Sequence, residues 1–171
     1  INTIKVDTTD VTRTVNLNDG TTQAYTISIT GDTASAATIN NNSNVQLTVN
    51  AYPTDITGAF TTTGSAGTSD VLNLTSLSSG TATFDTGNDV FETINVVAVG
   101  TGVATTLAMP AYDTSGTGAA GATTVTINAS TLGATNTLIL NNATVDSNLH
   151  VTSGAGADNI TLGTGADTVV S

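Results

Sequence analysis

In 171 residues the chain carries 13 acidic side chains against two basic ones, Lys5 and Arg13. The resulting formal charge of −11 opposes binding to nucleic-acid phosphate or insertion at an anionic membrane, and makes cations the natural partners. Cysteine is absent, which removes disulfides and thiolate metal sites, and the hydrophobic 38% is too high for a disordered acidic tail.

From the N-terminus onward, short runs alternate apolar residues with Thr, Ser and Asn. They are TIKV (3–6), TVNL (14–17), YTISIT (25–30), VQLTV (45–49), VLNL (71–74), TINVVAV (93–99), TTVTIN (123–128), TLIL (137–140), LHV (149–151), NITL (159–162) and TVV (168–170). Period two is the strand signature, and Thr, Val and Ile are the residues that suit it. Turn-forming stretches separate the runs at 18–20 (NDG), 30–32 (TGD), 40–42 (NNN) and in the Gly-rich 115–121. No window shows a 3.6 period, and no apolar run approaches the ~18 residues of a membrane helix. The expected fold class is all-β.

Antiparallel hairpins and a parallel solenoid both fit that pattern, and the last third of the chain favours the solenoid. Leu138/Leu140, Leu149/Val151 and Ile160/Leu162 form apolar pairs that return every eleven residues, and Val169 follows Ile160 by nine. Strands at a near-constant interval stack as rungs about 4.8 Å apart, burying a continuous aliphatic strip. The expectation is a β-solenoid or parallel β-roll over 67–171, after a β-rich segment over 1–66 of solenoid or sandwich-like form. One continuous domain is the other division the pattern allows.

The chain closes on two tandem nonapeptides, SGAGADNIT (153–161) and LGTGADTVV (162–170), matched at Gly154/Gly163, Gly156/Gly165, Ala157/Ala166 and Asp158/Asp167. They resemble the G-G-x-G-x-D-x-U-x calcium-binding repeat of RTX proteins, with Ser153 and Leu162 in place of the first glycine. The resemblance implies a six-residue turn followed by a short strand. Gly154, Gly156, Gly163 and Gly165 would let backbone carbonyls converge on Ca²⁺, and Asp158 and Asp167 would supply hard carboxylate oxygens. In RTX rolls successive turns lie on opposite edges, so Asp158 and Asp167 are not expected to share an ion. The partner turn is expected eighteen residues back: at Leu149 for Asp167, with Asp146 and Asn148 near, and at Leu140 for Asp158, beside Asn141 and Asn142.

GTSDVLNL (67–74) and TGNDVFETINV (86–96) look like degenerate copies of the unit, adding Asp70 and Asp89 as candidate ligands. Together with TINASTLG (126–133) they resemble the RTX-type surface-layer (S-layer) proteins of Gram-negative bacteria. That likeness implies a secreted, extracellular, non-enzymatic structural subunit that self-assembles by homo-oligomeric contacts into a two-dimensional lattice at the cell surface, with calcium as clamp. It also implies attachment to lipopolysaccharide through a part of the chain outside this sequence. The first residue is Ile1 and the last lies within a repeat, which is the pattern of a piece of a longer chain. A stalk segment of a large RTX adhesin and the export and folding domain of a secreted RTX enzyme are the alternatives.

Other motifs point away from catalysis. Asp85-Thr86-Gly87 copies the core of an aspartic protease loop but has no intact second copy, and GTGAAG (116–121) precedes a strand where a dinucleotide site needs a helix. His150, the only histidine, sits between inward-leaning Leu149 and Val151 and should face solvent without a partner for zinc. Five N-x-[ST] sequons, at Asn41, Asn73, Asn128, Asn142 and Asn159, are what an Asn- and Thr-rich composition produces unselected.

Overall fold

A computed structural model describes residues 2–7, 13–17, 24–30, 37–41, 45–57, 60–63, 70–84, 91–110, 124–142 and 148–171. Fifteen strands appear among them: β1 (Asn2–Asp7), β2 (Arg13–Leu17), β3 (Tyr25–Thr30), β4 (Ala37–Asn41), β5 (Leu47–Ala51), β6 (Thr61–Thr63), β7 (Val71–Ser76), β8 (Gly80–Thr83), β9 (Thr93–Ala98), β10 (Ala104–Ala108), β11 (Thr124–Asn128), β12 (Thr137–Asn141), β13 (Asn148–Thr152), β14 (Asn159–Thr161) and β15 (Thr168–Val170). One 3-10 turn, Pro53–Asp55, follows β5.

Every odd-numbered strand lies in one eight-stranded sheet, in chain order from β1 to β15. The even-numbered strands form the opposite face as two sheets, β2-β4-β6 and β8-β10-β12-β14. All pairings are parallel, so the chain is an all-β solenoid, and the sandwich alternative for residues 1–66 is excluded. Each strand crosses to the other face before the chain returns one rung higher.

The register explains why the rungs hold. Ile27, Val49, Leu72, Ile94, Ile127 and Val151 pair in succession along the eight-stranded sheet, and all are fully buried. Ala82, Leu107, Leu140 and Ile160 form the facing file. Burying one such side chain is worth about 1.5–3 kcal/mol, while fixing each backbone residue costs about 1–2 kcal/mol, so no rung is stable without its neighbours. The break between β6 and β8 is filled by the segment after the 3-10 turn, where Ile56 O accepts the Thr83 amide at 2.7 Å and Ile56 and Phe60 are fully buried.

Outward positions form polar files. Asn95 donates to Asn73 at 2.8 Å, Asn73 donates to Asn50 at 2.8 Å, and Asn50 donates to Ser28 at 3.4 Å, each bond joining adjacent rungs. The opposite face repeats the device between Asn40 and Asn16 at 2.7 Å. β4 runs on through Asn40 and Asn41, where the sequence suggested a turn: Asn40 is laddered to Asn16 on the outer face, and Asn41 takes the buried inward position in register with Leu17.

Candidate metal site

Three of the candidate aspartates occupy one structural role. Asp70 directly precedes β7 and its Oδ1 accepts the Leu47 amide of β5 at 2.8 Å. Asp167 directly precedes β15 and its Oδ1 accepts the Leu149 amide of β13 at 2.8 Å. Asp158 directly precedes β14, on the other face, and its Oδ1 accepts the Leu138 amide of β12 at 2.8 Å. Each carboxylate thus reaches back one rung to an amide at the start of a strand, where the ladder leaves donors short of partners. Asp158 and Asp167 open strands of different sheets, as expected.

The glycines of the first repeat are needed for contact. A Cβ on Gly154 would stand 2.5 Å from both Cβ and the carbonyl oxygen of Leu132, and one on Gly156 would run into the carbonyl of Asn136. Turn 153–158 is therefore pressed on the segment 129–136 beneath it, and the Ala155 amide donates to Leu132 O at 3.0 Å. Asn136 carries the stack further down: it accepts the Val103 amide at 3.0 Å and donates to Gly100 O at 3.1 Å. In the second repeat Gly163 and Gly165 are half-buried, and the Ala166 amide donates to Asn148 Oδ1 at 2.7 Å.

The partner spacing differs between the two repeats. For Asp167 the partner lies eighteen residues back, at Leu149, with Asn148 beside it. For Asp158 it lies twenty back, at Leu138 rather than Leu140, because β14 pairs with β12 in a register that sets Ile160 opposite Leu140. Asp146 and Asp89 lie outside the described residues, as do Asp85-Thr86-Gly87 and the loop 116–121. His150 faces solvent. Among the sequons, Asn142 is fully buried and Asn41 is 2% exposed, too enclosed to accept a glycan.

One acidic residue escaped the sequence reading. Glu92 directly precedes β9, in register with Asp70, and its Oε2 accepts the Asp70 amide at 2.6 Å. Desolvation raises its pKa above the ordinary 4.5, against two backbone hydrogen bonds that lower it. The signal was available: ETINV (92–96) and DVLNL (70–74) align with the acid directly before the strand.

Chemically, the turns offer hard oxygen. Oδ2 of Asp158 and of Asp167 accepts no hydrogen bond among the described residues, and Asp158 lines a groove of about 430 Å³ with Ser153, Gly154 and Gly156. A carboxylate oxygen with the backbone carbonyls of a Gly-rich turn fits the ligand preference of Ca²⁺. No group of three or more His, Cys, Asp or Glu converges among the described residues, so what the described turns offer an ion is one carboxylate each, with backbone carbonyls. Comparison with family models, curated proteins and solved structures yields no match to the chain.

Proposed function

We propose that the chain is a non-catalytic structural module of a secreted bacterial surface layer, stabilised by calcium and assembling with further copies of itself at the cell surface. The observation that carries this reading is the pair of Asp-ended glycine turns, 153–158 and 162–167, each opening a strand on a different face of the parallel solenoid. Asp158 with the carbonyls of its turn, and Asp167 with those of its own, would hold the ions. Bound Ca²⁺ would supply a cross-link between turns and cancel part of the −11 charge that sets copies apart.

The mechanism is linkage. An ion that binds only stacked rungs stabilises them by RT ln(1 + [L]/Kd), about 2.7 kcal/mol at a hundredfold excess over Kd. Extracellular calcium modules bind with Kd on the order of 10⁻⁴–10⁻³ M, so the rungs would tighten after export, where the ion is abundant.

Because each carboxylate also accepts an amide, alanine variants would remove two interactions at once. The informative variant is Asp158→Asn with Asp167→Asn, which keeps an oxygen for Leu138 and Leu149 and discards the charge. Calcium titration should raise the melting temperature and light scattering of the parent and leave the variant unmoved, and electron microscopy should then show sheets. An equal response in both, or none in the parent, removes calcium from the reading. A calcium-stabilised chain that remains monomeric would favour the adhesin stalk.

A further inference from the structure

Where β5 leads into the 3-10 turn, the surface holds a depression of about 390 Å³ walled by Thr30, Tyr52, Pro53, Thr54, Leu77 and Ser78. A second, of about 230 Å³, shares Thr30, Tyr52 and Leu77 with it and extends over Ser28, Asn50 and Thr75 on the outer face of the eight-stranded sheet. Together they form one groove crossing the rungs of β3, β5 and β7, with Tyr52 where the two parts meet. Leu77 is 58% exposed beside it.

The chemistry of the walls is uniform. Among the described residues none of the groove's side chains is charged, in a chain whose formal charge is −11. Tyr52 and Leu77 supply flat and apolar surface, and Ser28, Thr30 and Thr75 supply hydroxyls. Asn50 is fixed by the ladder, donating to Ser28 at 3.4 Å and accepting from Asn73 at 2.8 Å. An amide has two N–H groups and two lone pairs on its oxygen, so the ladder leaves Asn50 one further donor and acceptor side by side.

We infer that this groove is a binding site for a neutral oligosaccharide, with Tyr52 as the platform for a sugar ring and Asn50 with the surrounding hydroxyls as its polar contacts. A sugar presents an apolar ring face and adjacent hydroxyls that each donate and accept, which is what an aromatic ring beside a preorganised amide satisfies. Among the described residues no carboxylate lines the groove, and the charged pair nearest in register, Lys5 and Asp7, stands one strand over from Ser28 and Thr30, so a cation has no ligand in the described walls. An anion meets the repulsion of the whole chain, and an apolar peptide would leave Asn50 and the hydroxyls unsatisfied. The site lies away from turns 153–158 and 162–167 and does not depend on the calcium reading.

The test is amide chemical-shift mapping of the ¹⁵N-labelled chain with cellohexaose, mannohexaose and chitohexaose at millimolar concentration, with heparin as the anionic control, each with and without calcium. At least one neutral probe should shift the amides of Tyr52, Thr54 and Leu77 saturably, independently of calcium, while heparin leaves them unmoved. Tyr52→Ala should weaken that binding about tenfold, equivalent to about 1.4 kcal/mol, and Tyr52→Phe, which retains the ring face, should largely keep it. Asn50→Asp, which preserves the acceptor for Asn73, checks the amide without emptying the groove and should also weaken binding. Silence of these amides with all three neutral probes, shifts that map elsewhere, or full binding by both Tyr52→Ala and Asn50→Asp would overturn the assignment.

Discussion

Asp70 holds the amide of Leu47 at 2.8 Å across one rung, and Asp167 holds that of Leu149 in the same way at 2.8 Å, near the far end of the same sheet. The bond belongs to the solenoid, so the carboxylates we propose as calcium ligands at Asp158 and Asp167 would also serve as rung clasps. Asp70 is 1% exposed, which makes its loss the more costly. Asp70→Ala should strand a buried amide at Leu47 and cost about 1–3 kcal/mol, whereas Asp70→Asn keeps an oxygen in place and should cost clearly less. Thermal unfolding distinguishes them, at about 2–4 °C per kcal/mol for a chain of this size. Equal losses for the two variants would mean that charge, and not the amide bond, is what the position supplies.

All the strands of the eight-stranded sheet were legible, because Ile, Val and Leu alternate with polar residues, chiefly Thr and Asn, along most of them. The four strands missed, β4, β6, β8 and β10, all lie on the other face, and their sequences ATINN, TTT, GTAT and ATTLA carry few large apolar residues. Phe60, Phe84, Phe91 and Met109, which lie outside the strands, are fully buried and supply bulk to the core. Alternation in a single strand could not reveal a core filled from its flanks. Of the candidate site, the Asp positions at 158, 167 and 70 were picked out by their likeness to the Gly-Asp nonapeptide unit. Their bonds were not, since the partner lies eighteen to twenty-three residues away and depends on the length of the intervening turns.

Glu92 gives the chain a pH dependence of defined sign. Its folded pKa is raised, chiefly by desolvation, so between the ordinary 4.5 and that higher value the folded state binds more protons than the unfolded one. Stability from this group is therefore present at low pH and lost as pH rises through the folded pKa. Glu92→Gln removes the charge and keeps an acceptor for the Asp70 amide. Its melting temperature should exceed that of the parent at pH 7, and the gap should close near pH 4. A constant gap would show that the carboxylate's ionisation is not the cause.

The asparagine file should behave as a series of coupled bonds. Asn73 both donates to Asn50 and accepts from Asn95, at 2.8 Å in each case, so Asn73→Ala breaks two bonds on a half-buried position. The expected cost is about 1–3 kcal/mol in urea unfolding with an unchanged m value. Asn159→Ala, at an exposed position, should stay within about 0.5 kcal/mol. Comparable losses at both sites would assign the effect to strand propensity instead of the ladder.

The glycine turns make the sharpest steric prediction. Gly156 and Gly133 lie in adjacent turns that stack on one another, yet a Cβ on Gly133 meets nothing within 4 Å while one on Gly156 is driven into the Asn136 carbonyl. Neither position needs a left-handed backbone; among the described residues only Gly102 has a positive φ, of 70°. Gly133→Ala should therefore be neutral or slightly stabilising, through the reduced freedom of the unfolded chain, by about 0.4–1 kcal/mol at most. Gly156→Ala must separate the turns or bend the backbone and should cost about 1–3 kcal/mol. It should also loosen the Ala155 amide's bond to Leu132 O and the Asp158 bond to Leu138, read as faster hydrogen exchange at Ala155 and Leu138. A neutral Gly156→Ala with unchanged exchange at both amides would mean that the turns are not in contact.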